Sequence, residues 1–185
     1  MRDEHSPMVC LLGPVGVRGD GGLSLVAGPK LQSVLAMLAL EAPRRVSDDR
    51  LVEEIWAERP PANATNALQA MVSSLRRLLG RTAIGREGAG YVLQLGPLPT
   101  DVACLEAALE QARDAVEAGD QRAAAARYRE AVSLSRGPPL PELTDRWFAR
   151  EAAVRLEELV LSAHEGLVEA ELAPVSYTHL TLPTN

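Results

Sequence analysis

Asn66, Gln69, Ser73, Ser74, Arg76 and Arg77 share one short stretch of the chain, PPANATNALQAMVSSLRRLL, residues 60–79. Amides and hydroxyls at this spacing can hydrogen-bond base edges, and guanidinium groups can pair with phosphate or with the acceptors of guanine. Between them, Leu68, Val72, Leu75 and Leu79 recur at steps of four, three and four. That is the apolar stripe of an amphipathic helix. The opposite face carries no carboxylate. An ordinary surface helix mixes both charges, whereas an acid-free face ending in two arginines can lie against a polyanion.

The helix that must carry these residues follows Pro60-Pro61, where a helix can begin but not extend backwards, and Asn63, Thr65 and Asn66 supply N-cap chemistry. Before it, Ser47, Asp48 and Asp49 open a short helix over about 47–58 with Leu51, Ile55 and Trp56 inward. Its acids Glu53, Glu54 and Glu58 make it a poor reader of nucleic acid, and Trp56 reads as core rather than a stacking platform. Two helices joined by a short turn, the second basic, have the organisation of a helix-turn-helix. After Gly80, the stretch RTAIGREGAGYVLQLG predicts a β-hairpin that carries Arg81 and Arg86, with Arg86 at a tip packed on nothing. Such a hairpin can enter a minor groove or touch phosphate. Lys30, Arg81 and Arg86 are the candidate phosphate contacts.

Towards the N-terminus, MVCLL, VGV and LSLVA are short apolar or alternating runs separated by glycine turns, which predicts antiparallel strands. Gly28-Pro29-Lys30 opens a helix with Leu31, Val34, Leu35, Leu38 and Ala39 buried, ended by Pro43.

In order, VSDDRLVEEIW (46–56), PPANATNALQ (60–69), SSLRRLLG (73–80) and GYVL (90–93) resemble the OmpR-type winged helix, and more closely that of the antibiotic regulatory protein (SARP) family of bacterial activators. Met71 and Ser74 stand where such helices often carry histidine and arginine. The second half resembles the bacterial transcriptional activation domain that follows the winged helix in that family, including RGPPL at 136–140. The resemblance implies a DNA-binding activator of a secondary-metabolite gene cluster, tandem direct-repeat sites, and contact with RNA polymerase. Specific binding then needs two copies on repeated half-sites, as a dimer or in tandem.

The expected fold class is mainly α with small β: a winged helix-turn-helix over 1–96, then a helical, tetratricopeptide-like domain over 97–173. The stiff linker GPLP marks the boundary. Helices are expected over about 100–118, 121–135 and 145–172, the last with Trp147, Phe148, Leu156 and Leu167 inward. The pattern stops at Pro174, and the last 14 residues hold no Asp, Glu, Lys or Arg. Residues 174–185 therefore read as a tail of doubtful origin behind a truncated domain.

The net charge of -6 seems to oppose nucleic-acid binding, but position decides. Residues 1–99 carry 11 Lys and Arg against 10 Asp and Glu, and residues 100–185 carry 8 against 15. The acidic helical half should face away from DNA. Cys10 and Cys104 lie far apart with no metal spacing, and His5, His164 and His179 fit no triad. No phosphate-cradling glycine motif is present, and no apolar run approaches a membrane span. These features predict a cytoplasmic protein with no cofactor, no metal, no membrane association and no enzymatic activity, whose partner is double-stranded DNA. The competing reading is a protein–protein adaptor that uses the winged helix as a scaffold.

Overall fold

The computed structural model describes residues 7–57, 59–96 and 100–178, with side chains up to residue 173. A three-stranded antiparallel sheet comes first: β1 (Met8–Cys10), β2 (Gly16–Gly19) and β3 (Gly22–Leu25), in that order. Then come α1 (Pro29–Glu41), β4 (Val46–Ser47), α2 (Asp48–Trp56), α3 (Ala64–Leu79) and the hairpin β5 (Ile84–Arg86) and β6 (Gly90–Leu93). The hairpin is part of a second three-stranded sheet ordered β4-β6-β5, with Val46 opposite Tyr91 and Arg86 opposite Tyr91 on its other side. β4 escapes a sequence reading because two residues show no alternation. It depends on Gly90, where a Cβ would collide with the carbonyl oxygen of Val46.

The three helices pack through the expected residues. Val34, Leu35 and Leu38 of α1, Leu51 and Ile55 of α2, and Leu68, Val72, Leu75 and Leu79 of α3 are all buried in one cluster. Ser47 caps α2 by accepting the amide of Arg50 at 3.3 Å. The expected cap of α3 differs. Asn63 occupies the N-cap position but its side chain makes no capping bond, and the first turn is closed by backbone contacts from Ala64 to Pro61 and from Ala67 to Asn63.

The helical half consists of α4 (Asp101–Glu117), α5 (Gln121–Ser133), a 3-10 turn (Pro141–Leu143) and α6 (Trp147–Thr178). Thr100 and Asp120 cap α4 and α5. Ala108, Ala112, Ala124 and Ala131 are buried, which lets these helices approach closely. Two sequence expectations are corrected here. Trp147 is 64% exposed rather than inward, because the buried face of α6 runs through Phe148, Ala149, Leu156, Ala163 and Ala170. Also, α6 continues through Pro174 to Thr178. A proline within a helix removes one backbone donor, and here the helix carries on past it. The linker 97–99 and the stretch 179–185 lie outside the described residues, as do His5 and His179.

The two halves share one hydrophobic core and are bonded to each other. Asp101, almost fully buried, accepts the amides of Leu11 at 2.8 Å and Leu12 at 3.0 Å. Arg136 donates its own amide to the carbonyl of Leu12 and its Nη1 to that of Pro14. Gly13 makes this approach possible: its φ is 140° and a Cβ there would stand 2.9 Å from the Cβ of Arg136.

Candidate nucleic-acid interface

α3 is held by α1, α2 and β5, which cover its leucine and valine stripe. Its other face is open. Asn66, Gln69, Ser73 and Arg77 are exposed, and Ser74 and Arg76 are half-buried. The face therefore meets the first requirement for entering a groove, which is that nothing among the described residues covers it.

The polar side chains on this face are not equivalent. Arg76 donates both Nε and Nη2 to the carbonyl oxygen of Ile84, at 2.9 and 2.6 Å. It ties the hairpin to the helix with two of its five N–H donors. The hydroxyl of Ser74 donates to the carbonyl of Ala70 at 3.1 Å and accepts Nη2 of Arg77 at 2.9 Å. Ser74 thus orients Arg77 instead of facing outward. Asn66, Gln69 and Ser73 have no side-chain hydrogen bond among the described residues and are free to bond a ligand.

The cations expected at phosphate also divide. Arg81 is exposed and has no ion-pair partner among the described residues. Lys30 is exposed and lies 5.4 Å from the centre of the Trp56 ring. Trp56 is half-buried against the core, so it fixes a cation at the N-terminus of α1. Arg86 is not the unengaged tip residue that the sequence suggested. It makes a bidentate pair with Asp48, 2.7 Å at each oxygen, and stacks over Tyr91 at 4.6 Å. The bond to Asp48 holds its guanidinium above its ordinary value. The sequence hides this because Asp48 lies 38 residues away and β4 brings it to the hairpin.

Three residues escaped the sequence reading. Arg59, exposed in the turn before α3, and Arg45, exposed beside Gly90 of the hairpin, have no ion-pair partner among the described residues. A count of basic residues in the α2–α3 turn would have drawn attention to Arg59. Ala70 lies exposed in the middle of the outward face of α3, where a search for polar residues passes it over. Elsewhere, burial pushes the Cys10 and Cys104 thiols up, away from the thiolate form. Among the described residues no three His, Cys, Asp or Glu are placed to hold a metal, and no helix is long and apolar enough to cross a membrane.

An open, acid-free helix face joined to a hairpin, three helices and a preceding sheet defines a winged helix-turn-helix with a helical domain behind it. Residues 22–93 match the family model described as "Transcriptional regulatory protein, C terminal", and residues 100–178 match "Bacterial transcriptional activator domain". The chain belongs to the SARP-type family of transcriptional regulators, which joins these two domains. It is 32% identical over 177 residues to the regulatory protein DnrI of Streptomyces peucetius, covering 88% of this chain and 64% of DnrI. It is 33% identical over 169 residues to the transcriptional regulatory protein EmbR of Mycobacterium tuberculosis, covering 88% of this chain and 44% of EmbR. The structure of M. tuberculosis EmbR in complex with a low-affinity phosphopeptide superposes with a TM-score of 0.84 at 32% identity, over 91% of this chain and 46% of that one. The chain thus spans about half the length of the relatives it matches.

Proposed function

We propose that this chain is a sequence-specific DNA-binding transcriptional activator, acting in the cytoplasm on a secondary-metabolite gene cluster. α3 lies in the major groove with Asn66, Gln69, Ser73 and Arg77 at base edges or groove walls. Arg76 and Ser74 shape that surface from behind. The wing over 82–95, together with Lys30 and Arg81, meets phosphate. Two copies then occupy direct repeats and contact RNA polymerase, a reading supported by the family resemblance. The observation that carries the reading is the solvent-open, carboxylate-free face of α3. Kinship with regulators of this family supports the choice of target genes.

The test is selection of bound sequences from random duplexes with the whole chain. A recurrent motif, present as direct repeats and lost with Arg77→Ala, supports the proposal. Retention of no duplex at low salt would favour the adaptor reading, in which the acidic helical half binds a protein partner. That reading has one observation behind it: Trp147, Val154, Leu161 and Val168 stand exposed along α6.

A further inference from the structure

The outward face of α3 has a centre line, and that line is not wholly polar. Asn66, Ala70, Ser73 and Arg77 follow one another at steps of four, three and four, opposite the buried stripe of Leu68, Val72, Leu75 and Leu79. Gln69 and Arg76 lie towards one flank of that line. At its middle is a single methyl group, exposed and flanked by free hydrogen-bonding side chains. The adjacent hydroxyl of Ser74 is turned onto the carbonyl of Ala70 itself and holds Arg77, so no polar group of Ser74 covers this methyl.

We propose that Ala70 is a specificity-determining residue that selects thymine through the C5 methyl group. This rests on the DNA-binding reading given above. In the major groove each base pair presents donors and acceptors, and thymine alone adds an apolar group. A methyl on the centre line leaves a polar edge there unpaired, which costs affinity, and excludes water from a thymine methyl, which gains it. A short side chain also lets the helix axis approach the groove floor, so that Asn66 and Ser73 on either side reach their bases. Replacement by a longer polar residue would lose both effects. The position is exposed, so substitution there leaves the core untouched.

The experiment begins with the site selected by the whole chain. Each thymine of one half-site is replaced singly by deoxyuridine, which lacks only the methyl, and affinity is measured for wild type, Ala70→Gly and Ala70→Ser. The expected result is one thymine at which deoxyuridine costs wild type about three- to fivefold, the scale of one buried methyl. Both variants should be indifferent to the same replacement. Affinity insensitive to every deoxyuridine, or a penalty equally large in both variants, would overturn the role of Ala70 and leave DNA binding standing. Failure to select any site would instead overturn the underlying reading, and this inference with it.

Discussion

Arg76, the first of the paired arginines on α3, gives Nε and Nη2 to the carbonyl oxygen of Ile84 rather than to solvent. Arg77, its neighbour, remains exposed and, among the described residues, is steadied by Ser74. Two adjacent residues of one type therefore do different work. Arg76→Ala should lower stability by about 1.5–3 kcal/mol, the range for a hydrogen bond that involves a charged group, and should loosen the hairpin. Arg77→Ala should leave stability within about 0.5 kcal/mol, as for an exposed site, while weakening DNA binding. Thermal melts and duplex titrations on the two variants separate these effects. Equal melting temperatures for both variants would contradict the division.

The pair between Arg86 and Asp48 makes a second contrast. Removing a cation that contacts one phosphate makes the negative slope of log K against log salt shallower by about 0.9. Arg81→Ala should show that change. Arg86→Ala should show much less, because Asp48 already neutralises it. Asp48→Ala should release Arg86 and tighten non-specific binding. Salt titrations of the three variants check this, and an unchanged slope for Arg81→Ala would remove it from the phosphate set.

Arg146, just before α6, reaches across to the end of α2, donating Nη1 to the carbonyls of Glu54 at 3.0 Å and Ile55 at 3.3 Å. Carbonyls at a helix C-terminus lack partners within the helix, so this guanidinium supplies one from outside. The turn that follows leads directly into α3. Arg146→Ala is expected to cost about 1–3 kcal/mol and to increase amide hydrogen exchange in residues 54–63. Exchange there equal to that of wild type would show that the helical half does not brace the turn.

At the junction, burial pushes the Asp101 carboxyl above its ordinary value of 3.8, against the pull of the Leu11 and Leu12 amides and of Arg136. A folded value above the unfolded one means that the folded state keeps the proton longer. The contribution of this group is then complete below the unfolded value and declines as pH rises through the folded one. The stability difference between wild type and Asp101→Asn should therefore shrink as pH rises above about 4. Chemical denaturation at several acidic pH values measures it, and a difference that grows with pH would contradict this sign.

Much of this was legible in the chain itself. The stripe of Leu68, Val72, Leu75 and Leu79, the Ser47 cap and the alanine-lined α4 and α5 are local patterns, and local patterns are what a sequence displays directly. The partners of Arg76, Arg86 and Arg136 were not legible, since each bond closes a loop whose path depends on the whole fold. Trp147 misled because an aromatic residue in a helical pattern suggests core, yet its angular position sets it opposite Leu156 and Ala163. Ala70 was overlooked for a different reason: a methyl group has no polar chemistry to notice.

The central claim is that the outward face of α3 lies in the major groove, and Ser73 is the position that tests it most directly. A Ser73→Cys chain carrying an iron chelate on the new thiol would cut DNA locally by hydroxyl radicals; the unsubstituted chain treated identically is the control, since Cys10 is buried but Cys104 is half-buried and can also take the chelate. Cleavage confined to a few adjacent nucleotides of each selected half-site, with the offset between strands that a major-groove source produces, is the predicted result. Cleavage no different from the control, or spread evenly along the duplex, would contradict it.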